Sequence, residues 1–258
     1  MAIQLRFPIK KRSCKKEMIA QDQPTCFPEK VCVAVSSRQD GTMLDRTQGN
    51  RHANDIVTNR QMFCKEVNID YRQCVYQIIR YDEDNMYDTI CQVDAPNMLG
   101  VSADVLYTQS KGVGLFLPIA DCIGVVIYDP QRGALALAHI GRHASIANTL
   151  QKTIRYFEKR GSDVRNLLIW MAPSVKRSNY RLDYFVYKDA PEWQPFVDET
   201  ADGIYLDLQG YNRTRAIEAG VQESHIYEST VNTATDRNYF SHSSGDTSGR
   251  FAVVAVLH

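Results

Sequence analysis

The sequence lacks a long apolar run and an apolar leader. No stretch of about 18 consecutive apolar residues occurs, which argues against a membrane-spanning helix. Residues 1–18 carry several basic side chains but no apolar core of the kind found in a secretory signal. We therefore expect no membrane partner.

Paired-cysteine motifs are also absent. The seven cysteines are an odd number, and no two of them form a C-x-x-C pair. A chain of 258 residues can bury a substantial core, so it does not need a disulfide framework. These observations predict reduced thiols and a cytoplasmic location, with most cysteines acting as small buried side chains.

Neither sign of charge is in excess, because 30 Lys and Arg residues balance 30 Asp and Glu residues. A neutral chain has no overall field that attracts nucleic acid, so no nucleic-acid partner is expected. Linkers and low-complexity segments are missing as well. The sequence predicts one domain over residues 31–258, preceded by an arm or edge strand at residues 1–30.

The sequence does contain an irregular alternation of strand and helix patterns. Short β-rich runs are spread along the chain, at 31–35, 73–79, 203–208 and 251–257. Four apolar residues have helical spacing ahead of a stop at Gly161, namely Ile146, Leu150, Ile154 and Phe157. Asp207 is placed to cap a further helix, and residues 96–100 are predicted to be a loop. This order favours an α+β single domain with mixed β-sheets flanked by helices.

One β-hairpin is explicit between residues 120 and 140. Cys122 opens its first strand, His139 closes its second, and the turn at 129–133 contains Pro and Gly. Folding about this turn pairs position 122 with 139 or a close neighbour, and directly opposed Cβ atoms lie roughly 4.5–5.5 Å apart. A thiol and an imidazole are therefore expected side by side, just before a helix.

Several kinds of chemistry are open to such a pair. The imidazole can activate a nucleophilic thiolate, or both groups can bind zinc. The helix start at residues 141–145 could instead receive an anion, with Arg142 or Arg250 adding charge-assisted contacts. Shared metal binding by His139 and His143 is disfavoured, because Gly141 interrupts the helix between them.

Three segments carry a family resemblance: ADVLYT at 103–108, ADCIGVVIYD at 120–129 and HIGRHASIANTLQKTI at 139–154. They resemble the YfiH-type laccase-domain family, also called multicopper polyphenol oxidase-like or purine nucleoside phosphorylase. Shorter matches follow in order over roughly residues 31–258 and end in SGR at 248–250. The resemblance implies a YfiH-like α+β fold.

The same resemblance implies an enzyme that phosphorolyses purine nucleosides or deaminates adenosine. Its partners would be a purine nucleoside and phosphate, and the chain would be a monomer or homodimer. A zinc-type site is implied at Cys122 of the DC motif and His139 of the HAGWRG-like motif, with a further histidine from a Q-V-H-G segment. Asp121, Cys122, His139 and Arg250 are the predicted catalytic residues. Several copper ions are not expected, because the chain lacks multiple His-x-His clusters.

The sequence departs from the family at the third metal ligand. Aligned through Gln77, the Q-V-H-G histidine falls on Ile79, whereas aligned through residues 84–86 it falls on Asp82. Only Asp82 could bind zinc, so the predicted metal site is Cys122, His139 and Asp82. His143 and His242 are the alternative third ligands.

Three functions therefore stay open. The first is a divergent purine nucleoside-processing enzyme with an altered metal site. The second is a catalytically degenerate relative that binds a nucleoside or a protein. The third is a metal-free thiol hydrolase that uses Cys122 and His139.

Overall fold

The computed structural model describes residues 23–258, whose strands form two large sheets and a small one. The first sheet has five strands, in the spatial order β1 (Val31–Val35), β14 (Phe251–Leu257), β6 (Gly114–Ile119), β2 (Cys74–Ile78) and β4 (Asn97–Ser102). β14 is antiparallel to both its neighbours, whereas β2 is parallel to both of its own. The sheet is therefore mixed.

The second sheet has six strands, in the spatial order β13 (Ile226–Glu228), β9 (Leu168–Met171), β7 (Ile123–Asp129), β8 (Ala134–Ile140), β5 (Val105–Thr108) and β3 (Ile90–Gln92). The small sheet contains β10 (Arg181–Leu182), β12 (Gly203–Leu206) and β11 (Val197–Thr200). The described part of the chain also has four α-helices: α1 (Asn54–Glu66), α2 (Arg142–Ile146), α3 (Thr149–Lys159) and α4 (Leu208–Glu218). The predicted α+β class with mixed sheets and flanking helices is confirmed.

The two large sheets pack face to face, and helices cover their outer faces. Side chains alternate between the two faces of a strand, so Val253 of β14 points between the sheets and Val254 points outward. The outer face of the first sheet packs on Phe63 of α1. The outer face of the second sheet packs on α3 and α4. Because both faces of β7 and β8 are covered, every residue of these two strands is buried.

Several sequence predictions are confirmed at this level. β7 and β8 form the predicted hairpin, and Gly133 in its turn has φ +60°. The carboxylate of Asp207 caps α4 by accepting the backbone N–H of Gly210 at 2.8 Å. The helix expected to begin near Ile146 instead divides into α2 and α3, because Asn148 takes a left-handed conformation with φ +56°.

The predicted loop at residues 96–100 is wrong, because residues 97–100 begin strand β4. β4 is an edge strand whose side chains are mostly exposed, so it has no apolar alternation that marks a strand. Its pairing partner β2 makes it a strand.

Most of the predicted arm, residues 1–30, lies outside the described residues. Within its described part, the side chain of Gln23 both accepts from and donates to the backbone of Val35. The boundary at residue 31 stays a prediction. Over residues 23–258, no helix is both long and apolar enough to cross a membrane.

Candidate active site

The hairpin register decides how Cys122 and His139 meet. His139 pairs with Gly124, and the last pair is Ile123 with Ile140, so Cys122 falls opposite Gly141. Gly141 has no side chain. A Cβ there would lie 2.8 Å from Cys122 Sγ and 3.6 Å from His139 Nε2. The thiol and the imidazole therefore converge on the small space beside Gly141 rather than facing each other directly.

This space lies at one end of the interface between the two large sheets. His139 is on the same face of β8 as Leu135 and Leu137, which belong to the core between the sheets. Cys122 packs against that same core. The alternation of β8 thus directs the imidazole inward, and the glycine that follows the strand leaves room beside it.

Burial controls the protonation of the pair. It raises the pKa of the Cys122 thiol to about 12, and the negative charge of Asp121 acts in the same direction. Burial also lowers the pKa of His139 to about 4, with a smaller contribution from His143. At neutral pH both groups are uncharged, which does not favour the thiolate–imidazolium pair of a thiol hydrolase. The buried Nδ1 of His139 has no hydrogen-bond partner among residues 23–258.

Asp121 holds loops together at the base of the site. Its carboxylate accepts the hydroxyl of Thr233 and the backbone N–H of Ser243, each at 2.7 Å. Its backbone is left-handed, with φ +66°, an uncommon state for a residue other than glycine. Both carboxylate oxygens are therefore engaged in holding loops beside Cys122.

A cleft of about 460 Å³ opens beside the pair, within the size range of small-molecule sites. Three arginines line it, Arg46, Arg51 and Arg250, against the acidic Asp45 and Asp121. Arg250 is only 9% exposed. Its burial and the nearby Arg46 lower its pKa, but an arginine stays charged at any physiological pH. The cleft therefore has a net positive lining.

Aromatic rings form another part of the wall. The ring of Tyr81 meets that of His139 edge to face, with 6.2 Å between their centroids. The guanidinium of Arg46 lies over the Tyr81 ring, 4.9 Å from its centroid. Tyr180 also lines the cleft. Such rings offer flat apolar surface beside the charged groups.

The predicted third ligands occupy three different places. Asp82 is exposed, forms an ion pair with Arg80 at 2.6 Å and lines a separate pocket. His143 packs on Tyr87, with 4.6 Å between ring centroids, in another groove that Arg142 also lines. His242 lines the cleft itself. The helix start expected to receive an anion belongs to α2, which has only five residues.

The donor set does not fit a zinc site of the predicted kind. Within residues 23–258, no group of three His, Cys, Asp or Glu side chains is placed to hold a metal ion. The assignment of Asp82 as a ligand with Cys122 and His139 has no geometric support, because its side chain pairs with Arg80 outside the cleft. The alignment through Gln77 agrees better with the structure, since Ile79 does line the cleft.

A family model described as multi-copper polyphenol oxidoreductase laccase matches residues 35–258. The chain belongs to this family. The predicted resemblance is confirmed.

Relatives in this laccase-like family carry a common name. The chain is 26% identical over 199 residues to a Bacillus subtilis protein named purine nucleoside phosphorylase YlmD, covering 72% of this chain and 70% of the relative. It is 24% identical over 211 residues to a purine nucleoside phosphorylase of Campylobacter jejuni, covering 78% and 84% of the two chains.

Solved structures support the fold. YlmD from Geobacillus stearothermophilus superposes with a TM-score of 0.76 at 23% identity, covering 91% of this chain and 94% of that one. The hypothetical protein YfiH of Bacillus licheniformis superposes with a TM-score of 0.74 at 22% identity, covering 88% of this chain and 93% of that one.

Sequence reasoning missed part of the cleft wall. Arg46, Arg51, Tyr81 and Tyr180 line the cleft, but none of them is among the predicted site residues. Tyr180 ends a segment that resembles the family, APSVKRSNY at 172–180, and Tyr81 stands two residues after Ile79. The tertiary packing of loops over the sheet ends brings these side chains together.

Proposed function

We propose that this chain binds a purine nucleoside and inorganic phosphate in the cleft and catalyses phosphorolysis. The supporting observation is the buried, charged Arg250, which shares with Arg46 the cleft that contains Cys122 and His139. Arg250 forms no ion pair within residues 23–258, although Asp121 lies close enough to act on its pKa. A buried cation of this kind calls for an anionic ligand. The names of the relatives support a purine nucleoside as the second ligand.

The reaction needs charge stabilisation and positioning more than a protein nucleophile. A phosphate oxygen forms a bond to C1′ of the ribose while the bond from C1′ to the purine nitrogen breaks. The purine leaves with that electron pair and takes a proton, and ribose 1-phosphate is the other product. Arg46 and Arg250 hold the phosphate, and Tyr81 and Tyr180 provide flat surface for the base. No step runs through a metal, because the donor set does not fit one.

The test is to incubate the chain with adenosine, inosine or guanosine, with and without phosphate, and to separate the products by chromatography. We expect free base and ribose 1-phosphate only when phosphate is present. Inosine formed from adenosine would instead indicate deamination. Absence of every product at high enzyme concentration would contradict the proposal.

An arginine substitution sharpens this test. Because a hydrogen bond to a charged group is worth about 1.5–3 kcal/mol, Arg46→Met should raise the KM for phosphate by about tenfold or more. Arg237→Met is the matched control, since Arg237 is exposed and does not line the cleft. Equal KM values for phosphate in the two variants would show that Arg46 does not bind phosphate.

The incomplete donor set also favours a second candidate, nucleoside binding without turnover. In that case inosine or guanosine would raise the melting temperature of the chain without any product. A melting temperature that no nucleoside changes would count against both candidates.

A further inference from the structure

We infer that Ile79 occupies the place of a third metal donor, so that the Cys122–His139 pair of this chain does not retain a metal. We infer further that Ile79→His alone would create a zinc site there. This inference concerns metal binding and does not depend on the proposed phosphorolysis.

The first step is that two donors already converge. The space beside Gly141 is bordered by Cys122 Sγ and by the His139 ring, whose Cε1 and Nε2 would lie 3.5 and 3.6 Å from a Cβ on Gly141. Both Cys122 and His139 line the cleft. Thiol and imidazole are the zinc-binding groups that proteins use most in closed structural sites.

The second step ties the segment around Ile79 to the same place. Gln77 donates through Nε2 to the backbone oxygen of Asp104 at 2.8 Å, and the backbone N–H of His139 donates to that same oxygen at 2.9 Å. Four residues after Gln77, the ring of Tyr81 lies against the ring of His139. Ile79 is midway between these two fixed points and lines the cleft.

The third step is the direction of the side chain. Ile79 packs against the core between the two large sheets, as Cys122 does. The preceding Ile78 packs against the outer core beneath α1 instead. Both isoleucines line the cleft, and Ile79 directly follows the last residue of β2. The alternation of β2, continued by one residue, directs residue 79 toward the core that the thiol and the imidazole share, and residue 78 away from it.

Neither Ile79 nor Asp121 can supply the third ligand. An isoleucine has no lone pair, and catalytic zinc sites have three protein ligands. Asp121 is near but has both carboxylate oxygens engaged by Thr233 and Ser243. The positive charges of Arg46 and Arg250 further oppose a cation in the cleft. Two neutral donors in such surroundings are insufficient to hold zinc.

The experiment measures metal rather than turnover. The purified chain, Ile79→His, and Ile78→His as a matched control are loaded with Zn²⁺, dialysed and analysed for zinc per chain. Affinities are then obtained by competition with a chelator. Circular dichroism and thermal melting show whether each variant is folded. Half-burial of both isoleucines makes the histidine substitutions tolerable.

We expect no stoichiometric zinc in the unaltered chain or in Ile78→His, and one zinc per chain in Ile79→His. Outer-shell groups alone change metal affinity by 10–100-fold, so a new direct ligand should tighten zinc binding by more than ~100-fold. Adding Cys122→Ala to Ile79→His should abolish this gain. With Co²⁺, the Ile79→His chain should show a thiolate-to-metal absorption band that the double variant lacks.

Two results would overturn the inference. One is stoichiometric zinc in the unaltered chain that disappears on Cys122→Ala. The other is a folded Ile79→His variant that binds zinc no more tightly than Ile78→His. Because no substrate is present, neither result depends on whether the chain is a phosphorylase.

Discussion

The buried His139 lowers the stability of the folded chain at acidic pH. Burial lowers its pKa in the folded chain to about 4, below the ordinary value of 6.5. Between these two values the unfolded chain binds a proton that the folded chain does not, so stability falls as the pH drops through this window. The loss attributable to this residue is roughly 2–4 kcal/mol.

The first prediction is that His139→Gln flattens this dependence. The free energy of unfolding, measured by urea denaturation at pH 7 and at pH 4.5, should fall more in the unaltered chain than in the variant. Desolvation raises the pKa values of the carboxyl groups of the buried Asp104 and of the more exposed Glu228, which act in the opposite direction but equally in both chains. Equal losses in the two chains would show that His139 is not the group that titrates.

At the scale of elements, α1 holds the loop that carries two cleft arginines. Arg60 of α1 is completely buried and donates to the backbone oxygens of Met43 at 2.8 Å and Arg51 at 2.7 Å. It also donates to the Tyr71 hydroxyl at 3.1 Å. Both ends of the loop with Arg46 are thus attached to one guanidinium.

The second prediction follows from that attachment. Arg60→Met leaves buried acceptors unsatisfied, each at a cost of about 1–3 kcal/mol, and should destabilise the chain by roughly 2–5 kcal/mol. Because the loop is released, the KM for phosphate should rise as well. Arg155→Met on the exposed side of α3 is the control and should stay within about 0.5 kcal/mol in urea denaturation. If Arg60→Met changes the free energy of unfolding and the KM for phosphate no more than the control does, other contacts hold the loop in place.

Whether an element can be predicted from the sequence depends on its position in the fold. β7 and β8 are central strands joined by a turn with its own chemistry, so the hairpin is readable from local residues. The edge strand β4 and the break at Asn148 depend on pairing and packing that local patterns do not encode.

The candidate site likewise contains residues that the sequence predicts and residues that it does not. Cys122 and His139 can be predicted as neighbours because one hairpin carries both. The hairpin pattern does not give the register that places Cys122 opposite Gly141. Arg46 and Tyr81 reach the cleft from distant loops, and the choice between Ile79 and Asp82 needs the three-dimensional path of the chain beyond β2.

For the whole molecule, the close approach of the two large sheets depends on Gly124. A Cβ on this residue of β7 would lie 2.9 Å from Cγ2 of Val253 on β14 and 3.7 Å from Cβ of Ala172. Gly124 also pairs with His139, so this close contact between the sheets is next to the candidate site. Overpacking at this point would separate the sheets locally.

The third prediction is a coupling between these two positions. Gly124→Ala should destabilise the chain by about 1–3 kcal/mol, because a packed core resists an added methyl group. Combined with Val253→Ala, it should cost less than the sum of the two single changes, with a coupling of at least about 0.5 kcal/mol. Urea denaturation of the four chains completes the cycle. Additive effects would place the strain of Gly124→Ala somewhere other than Val253.

The pairing of β1 with β14 has a mechanical consequence. Val31 pairs with Leu257 in an antiparallel register, so residues 31 and 257 lie at the same end of the strand pair. Tension applied between these two residues loads the backbone hydrogen bonds one after another, as in a zipper, rather than all together in shear. β14 would then peel from β6, and Arg250 immediately precedes it in the chain. We expect a chain pulled in this way to lose the contribution of Arg250 to its cleft before the second sheet, which does not contain β14, is loaded.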